Sequence, residues 1–157
     1  MMTDTYKELT PLWDYVADDV MGGVSTGQAR CMHVAGRRAT RLTGVVSTDN
    51  NGGFIQIASD LRVDASGWTG IEIDVAGNGE TYDLRVRTDQ ITRPWQSFRC
   101  SFIAAAGWHS VALPFAGFTA HKTDAQFDPA QLRRVGVLAI GRVFHADVAV
   151  GGLRLYC

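Results

Sequence analysis

The feature that most constrains this chain is a two-residue alternation of apolar and polar side chains that recurs along most of its length. The segments GIEIDV, TYDLRVR and SFRCSFI show it, each bounded by residues that favour turns. A period of two places successive side chains on opposite faces of a β-strand. No segment has a sustained helical period. The sequence therefore predicts an all-β fold of about nine or ten short antiparallel strands, at the spacing expected of a sandwich or a barrel.

Length and composition favour one domain. The chain has 157 residues, of which 46% are hydrophobic, enough for one core and hardly for two. We predict an N-terminal extension over residues 1–11 and a single β-sandwich domain over residues 12–157. A short helical turn is predicted in FDPAQLRR, because Asp128 can cap it and Pro129 suits the first helical position.

Charge and cysteine patterns limit the class of protein. A formal net charge of −1 gives no overall attraction to nucleic acid or to an anionic membrane, so neither is predicted as a partner. The N-terminus lacks the pattern of a signal peptide, and no run approaches transmembrane length. Three cysteines without CxxC spacing favour thiols in a reducing compartment over a disulfide framework. We therefore predict a cytoplasmic protein.

A stripe of arginines marks one predicted sheet face. Gly77-Asn78-Gly79 is typical of a hairpin turn, so we expect the strands on either side of it to pair. Alternation puts Arg85 and Arg87 on one face, and Arg99 joins them if the following strand lies alongside. Trp95 and Gln96 stand at the edge of this stripe. It is either a solvated face with weak ion pairs or a surface for an acidic or hydroxyl-rich partner.

Two glycine pairs stand out, in DVMGGVS and in NNGGF. We expect Gly22 and Gly23 to bend the backbone and pass close to the second pair, since glycine pairs usually mark turns or close approaches. Asp18 and Ser25 flank the first pair, and such side chains most often satisfy turn amides. In the functional alternative, Asp18, Ser25 and Asn51 face a ligand or partner together.

No catalytic constellation is apparent. Ser25 does not lie in a GxSxG elbow, the four histidines are scattered, and no GxGxxG follows a strand. Cys31 and His33 share a strand face, but one such pair is weak evidence for zinc. A structural calcium ion in a loop stays open. We predict no catalytic residue, no metal ligand and no cofactor, and hence a protein that is not an enzyme.

Several motifs follow one another along the chain, namely WDYVADDVMGGVS, NNGGF, GNGETYDLRVR, GWHSVALPFAGF, RRVGVLAIG and VAVGGLRLY. Their order resembles the complex I intermediate-associated protein family over about residues 12–156. The resemblance implies a jelly-roll sandwich of the galactose-binding-like type and a role in protein assembly. The mitochondrial members look like chaperones for the membrane arm of respiratory complex I. The chain departs from the family after GGF, where it reads Ile55-Gln56-Ile57-Ala58 and lacks the arginine typical there. The motif residues, which we interpret as structural, are Met21, Gly22, Gly23, Gly52, Gly53, Phe54, Trp108, Pro114 and Phe115.

Three functions follow as hypotheses. The first is a non-catalytic assembly module that contacts a protein partner, such as a respiratory-complex assembly intermediate. The second is a carbohydrate-binding module that uses Trp95, Gln96 and the nearby arginines on a glycan. The third, which the sequence favours least, is a small enzyme. An exposed Trp95 would favour a role in ligand binding, whereas a buried Trp95 would only fill space at the end of the sandwich. The predicted core residues are Trp13, Phe54, Ile73, Tyr82, Leu84, Phe102, Trp108 and Phe115.

Overall fold

Twelve strands make up the regular structure of residues 5–157, the part of the chain that the computed structural model describes. The side chains of Val20, Met21 and Asn51 lie outside that description, so the predictions for Met21 and Asn51 stay predictions. The strands are β1 (Tyr6–Leu9), β2 (Asp14–Ala17), β3 (Thr26–Val34), β4 (Arg37–Val46), β5 (Phe54–Val63), β6 (Gly70–Gly77), β7 (Thr81–Thr88), β8 (Ser97–Ile103), β9 (His109–Pro114), β10 (Thr119–His121), β11 (Leu132–Ile140) and β12 (Phe144–Tyr156).

Four short 3-10 helices connect some of these strands. They span Asp18–Met21, Asp49–Asn51, Phe115–Gly117 and Pro129–Gln131. In the last of them, the Asp128 carboxylate accepts a hydrogen bond of 3.0 Å from the backbone N–H of Ala130. Pro129 occupies the start of this turn. The predicted cap and proline position are therefore confirmed.

The strands form two six-stranded sheets. The first sheet has the order β3-β4-β12-β6-β9, with β1 also paired to β12. The second has the order β10-β8-β7-β11-β5-β2. Strand pairing is antiparallel in both sheets. The predicted all-β, antiparallel sandwich is confirmed.

The core fills the space between the sheets. Ile73 of the first sheet and Tyr82, Leu84 and Phe102 of the second are buried there, as predicted. Trp13 and Phe115, also predicted in the core, are only half-buried and pack against its edge. The predicted core position of Phe54 is wrong, because the neighbouring Ile55 points inward and the half-buried Phe54 ring lies on the outer face of the second sheet.

The predicted hairpin at Gly77-Asn78-Gly79 is wrong. β6 belongs to the first sheet and β7 to the second, so this turn carries the chain across the sandwich. The Tyr82 hydroxyl fixes the crossing, because it donates to Asn78 Oδ1 at 2.7 Å and accepts from the Asp147 N–H at 2.9 Å. The local pattern cannot separate the two cases, because both need a tight turn between alternating strands.

Because β6 and β7 belong to different sheets, the acidic side chains of β6 and the arginines of β7 lie on opposite outer faces of the sandwich. Glu72 and Asp74 lie on the outer face of the first sheet, where Arg154 donates to both carboxylates. Asp74 also accepts from Ser110 at 2.6 Å and from Arg37 at 2.9 Å. The hydrogen bonds from Arg154 hold the pKa of the Asp74 carboxyl far below its usual range, although burial opposes them. Glu72 and Asp74 are thus both partnered by cations of their own face.

Trp108 does not belong to the core, and its predicted interior position is wrong. It precedes β9 on the outward side, in step with Ser110, whereas Leu113 points inward. The half-buried indole donates its N–H to the Val34 carbonyl at 2.8 Å. The Arg37 guanidinium lies 5.0 Å from the centre of the ring. The Trp108 ring is therefore partly buried by contacts with β3 and with Arg37 on the outer face, and not by the interior of the sandwich.

The first strand falls inside the predicted N-terminal extension. β1 pairs with the end of β12, so that Tyr6 lies opposite Tyr156 and Leu9 opposite Leu153. The Tyr6 ring lies 5.5 Å from the Arg154 guanidinium. Residues of the predicted extension therefore contribute to the first sheet, and the boundary at residue 12 stays a prediction.

Candidate functional site

The outer face of the second sheet carries an open cleft of about 690 Å³. Its floor is formed by outward residues of β5, β7 and β11, and its walls by residues 52–54 and by the loop between β7 and β8. A volume of this size lies within the range of ordinary ligand sites, which is about 300–1,000 Å³. The lining of the cleft includes the side chains of Gln56, Arg85, Arg87, Trp95, Ser97 and Arg134.

Strand register explains how the predicted arginine stripe is built. Arg85 of β7 lies between Arg99 of β8 and Gly136 of β11. One step further along the same face, Arg87 lies opposite Arg134. The three predicted arginines therefore share one outer face, and Gly136 leaves room for the cleft in its floor. Arg99 stands on this face but does not line the cleft.

Most cations of this face have a carboxylate partner. Asp83 pairs with Arg85 at 3.1 Å and with Arg99 at 3.3 Å. Asp60 pairs with Arg134 at 2.8 Å. Burial lowers the pKa of Arg85, and Asp83 opposes that shift. This part of the face resembles the solvated, ion-paired surface that the sequence offered as one interpretation.

Arg87 differs from its neighbours because, among residues 5–157, no carboxylate lies within ion-pair distance of it. Its Nη2 donates instead to the Arg93 carbonyl at 2.9 Å. Burial lowers the pKa of Arg87, and the charges of Arg133 and Arg134 lower it further. A half-buried guanidinium among like charges is a favourable place for an anion.

Trp95 forms part of the wall, in the loop between β7 and β8. Its side chain is 55% exposed, and the Arg93 guanidinium lies 5.8 Å from the ring centre. The Gln96 amide joins this loop to the neighbouring one, since it accepts from the Arg93 N–H and donates to the Lys122 carbonyl, each at 3.2 Å. Trp95 is therefore available to a ligand, whereas Gln96 holds the wall in place.

The opposite wall depends on Asp18, which is fully buried. Its carboxylate accepts from the Ser25 hydroxyl at 2.5 Å, the Gly53 N–H at 2.6 Å, the Ser25 N–H at 3.0 Å and the Phe54 N–H at 3.2 Å. Burial acts to raise the pKa of this carboxyl, but the hydrogen bonds from Ser25, Gly53 and Phe54 outweigh it and lower the pKa. Asp18 and Ser25 thus act on the cleft through residues 53 and 54 rather than by facing it.

The two glycine pairs meet beside this carboxylate, as predicted. A side chain at Gly23 or Gly52 would clash with Asp18, and one at Gly52 would also come within 2.8 Å of the Gly23 Cα. Gly22 has a φ of 86°, which L-residues rarely adopt. The glycines therefore permit a close approach that lets Asp18 reach the wall of the cleft.

Two of the motif residues, Pro114 and Phe115, take part in local turn structure and aromatic packing. Pro114 ends β9 and leads into the turn at Phe115–Gly117. The Phe115 ring packs edge-on against Phe127 with 5.4 Å between ring centres. None of these residues lines the cleft.

Sequence reasoning missed several residues of the cleft. Ser97, His121, Lys122, Arg133 and Arg134 line it but come from segments far apart in the chain. Burial lowers the pKa of His121, and the charges of Arg85, Arg99 and Lys122 add to the effect. The alternation could have identified two of them, because residues two apart on a strand share a face. Ser97 is two residues from Arg99, and Arg134 is two residues from Gly136.

The described residues do not suggest a metal centre. Within residues 5–157, no group of three or more His, Cys, Asp or Glu side chains is placed to hold a metal ion. In the same part of the chain, no helix has the length and apolar character needed to cross a membrane.

The comparison with protein families decides the classification. The model of the family described as complex I intermediate-associated protein 30 (CIA30) matches residues 3–155. The chain belongs to the CIA30 family. None of the curated proteins compared with this CIA30 domain matches it significantly. The resemblance drawn from the motifs is confirmed.

Solved structures show the same fold in carbohydrate-binding modules. A family 11 module from Clostridium thermocellum, in complex with a β-1,3-1,4-mixed-linked tetrasaccharide, has a TM-score of 0.77 and 12% identity over 96% of the CIA30 chain and 95% of its own. A family 30 module of a cellulosomal cellulase from the same organism has a TM-score of 0.64 and 15% identity over 98% and 97%. An agarase has a TM-score of 0.57 and 9% identity over 84% of the CIA30 chain and 24% of its own. These likenesses confirm the galactose-binding-like jelly roll.

Proposed function

We propose that this CIA30 domain is a non-catalytic binding module that holds an acidic segment of a partner protein in the cleft. The observation that carries the proposal is the charge of the cleft. Five cationic side chains line it against one carboxylate, Asp60, although the whole chain has a net charge of −1. The cations are Arg85, Arg87, Lys122, Arg133 and Arg134.

Family membership supports a protein as the partner. The family is described by its association with an intermediate of complex I, so we infer that the domain takes part in the assembly of a protein complex. Arginine suits such a surface, because its planar guanidinium binds carboxylates with two donors and stacks on rings. An assembly intermediate that exposes an acidic segment would fit these side chains.

Carbohydrate binding is the second candidate, and the exposed Trp95 beside the polar floor favours it. An aromatic ring offers a flat apolar face to a sugar, and Gln56 lies within the same cleft. However, among the described residues that line the cleft Trp95 is the one exposed aromatic, whereas cations are abundant. The charge therefore favours an acidic partner over a neutral glycan.

A charge-reversal experiment tests the proposal. A fluorescent oligoglutamate peptide is titrated into the wild type, into the double variant Lys122→Glu and Arg134→Glu, and into the control Arg30→Glu and Arg38→Glu. The control side chains are exposed on β3 and β4, away from the cleft. We expect the cleft variant to lose at least about tenfold in affinity and the control to lose little.

Salt and a neutral sugar complete this test. Binding of the peptide should weaken as ionic strength rises, because the attraction is between exposed charges. Equal binding by the wild type and the cleft variant would overturn the proposal. Tight binding of a neutral mixed-linked glucan without binding of the peptide would favour the second candidate instead.

A further inference from the structure

Two buried polar atoms within residues 5–157 have no hydrogen-bond partner, and both belong to side chains that line the cleft. They are Nε of Arg87 and Oγ of Ser97. Native proteins leave few such groups unpaired, because a buried donor without an acceptor costs free energy. Their occurrence in the same cleft needs an explanation in terms of what the cleft binds.

The two residues stand next to each other on the outer face of the second sheet. Val86 of β7 pairs with Phe98 of β8, and both of these side chains point into the core. The adjoining positions, Arg87 and Ser97, therefore point outward at the same level of neighbouring strands. Ser97 is only 5% exposed, so water has little access to its hydroxyl.

The guanidinium of Arg87 is anchored at one nitrogen, and its buried Nε has no hydrogen-bond partner among the described residues. Its Nη2 is anchored to the Arg93 carbonyl, in the loop that also carries Trp95. Arg134 lies opposite Arg87 on β11, but its guanidinium is engaged by Asp60. At the Arg87 guanidinium the charges of Arg133 and Arg134 nevertheless outweigh that of Asp60. The Nε–H has no acceptor in the described part of the chain.

We propose that Arg87 Nε–H and Ser97 Oγ–H form an anchoring subsite for one carboxylate, carried by an Asp or Glu side chain of the partner's acidic segment. This inference rests on the proposed function, which it deepens by naming the group that is recognised. A carboxylate accepts hydrogen bonds at two oxygens and donates none, so it satisfies both donors at once. Its charge also offsets that of Arg87, which a neutral amide or hydroxyl cannot do.

Ser97→Ala is the sharpest variant, because the hydroxyl has no partner to lose in the unbound protein. Its thermal stability should therefore be unchanged or slightly raised. We expect its affinity for the oligoglutamate peptide to fall by about tenfold, the loss of one hydrogen bond to a charged group. The matched control is Ser110→Ala on the first sheet, whose hydroxyl donates to Asp74 at 2.6 Å. That control should lose stability and keep its affinity.

Arg87→Lys tests the guanidinium itself, since it keeps the charge but removes the Nε–H edge. We expect it to weaken binding by about tenfold, whereas Arg41→Lys should leave affinity unchanged. Arg41 lies on the first sheet and pairs with Asp147. Glutamine peptides of the same length should not bind the wild type.

The outcomes separate this inference from the proposed function. If the wild type, Ser97→Ala and Arg87→Lys bind the peptide equally well, the subsite is wrong, and the acidic-segment proposal stands as long as the Lys122→Glu and Arg134→Glu double variant loses affinity. If the wild type binds no acidic peptide, the proposed function fails together with the inference. If an oligogalacturonate binds at this site and the peptide does not, the carboxylate comes from a glycan, and the protein-derived source is overturned.

Discussion

At the scale of single residues, Asp18 shows how one carboxylate organises a wall of the cleft. It lies in the first glycine-pair motif, yet it accepts backbone hydrogen bonds from Gly53 and Phe54 in the second. Two segments separated along the chain are thus joined by one buried side chain. The sequence predicted the contact and the satisfaction of turn amides, but not that the same residues border the cleft.

Asp18→Asn should destabilise the protein by about 2–3 kcal/mol, because the amide replaces a charged acceptor with a group that also donates toward backbone N–H groups. Urea denaturation of the wild type and the variant measures the difference in unfolding free energy. Asp19→Asn is the matched control, since Asp19 is the exposed neighbour. An equal midpoint for all three proteins would contradict the role assigned to Asp18.

The lowered pKa values of Asp18 and Asp74 predict acid sensitivity. A carboxyl with a lower pKa in the folded state than in the unfolded one stabilises the fold above its unfolded pKa, which is about 3.9 for Asp. That stabilisation is lost as pH falls through the lower, folded pKa. Melting temperatures should therefore be steady near neutral pH and decline below about pH 4. In Asp18→Asn the decline should be shallower, and an equally steep decline would contradict this account.

At the scale of elements, Trp108 shows that an aromatic residue beside a strand need not enter the core. Its indole joins the start of β9 to the end of β3 through the Val34 carbonyl. Trp108→Phe should cost about 0.5–1.5 kcal/mol, the value of one hydrogen bond. Trp108→Ala should cost more, about 1–3 kcal/mol, but less than a fully buried tryptophan. Thermal melts distinguish these values, and a larger loss would place the ring in the interior after all.

The first strand provides a test of the domain boundary. Removal of residues 1–9 would leave the end of β12 without β1 and expose Leu153, which is now buried. We expect a lower melting temperature and a greater tendency to associate, because an uncovered strand edge can pair with another chain. A truncation that stops before Thr5 keeps β1 and is the control. Equal stability of the two truncated chains would support a domain that begins at residue 12.

At the scale of the whole molecule, alternation predicted most of the strands and their buried faces, but twelve strands are present instead of nine or ten, and β1 lies in the predicted extension. Leu84 and Phe102 point inward and Arg85 points outward because a period of two leaves no other arrangement. The division of strands between sheets was not predictable, since β6 and β7 flank a turn that looks like a hairpin turn. Some residues of the cleft, such as Arg134 and Lys122, were not predicted, because their place in it depends on which distant strands become neighbours. Only the three-dimensional arrangement supplies that information.

The two outer faces of the sandwich differ in a way that bears on its evolution. Around Asp74, carboxylates and arginines satisfy one another, whereas Arg87 and Ser97 keep unpaired donors. In the language of energy landscapes, the first face is minimally frustrated and the cleft is a frustrated patch that the chain tolerates. Selection for thermal stability alone should then favour apolar residues at position 97, and selection for ligand retention should restore serine. Two copies of a variant library, one selected for thermal stability and one for ligand retention, should come to differ at position 97. Ser110 should be kept in both.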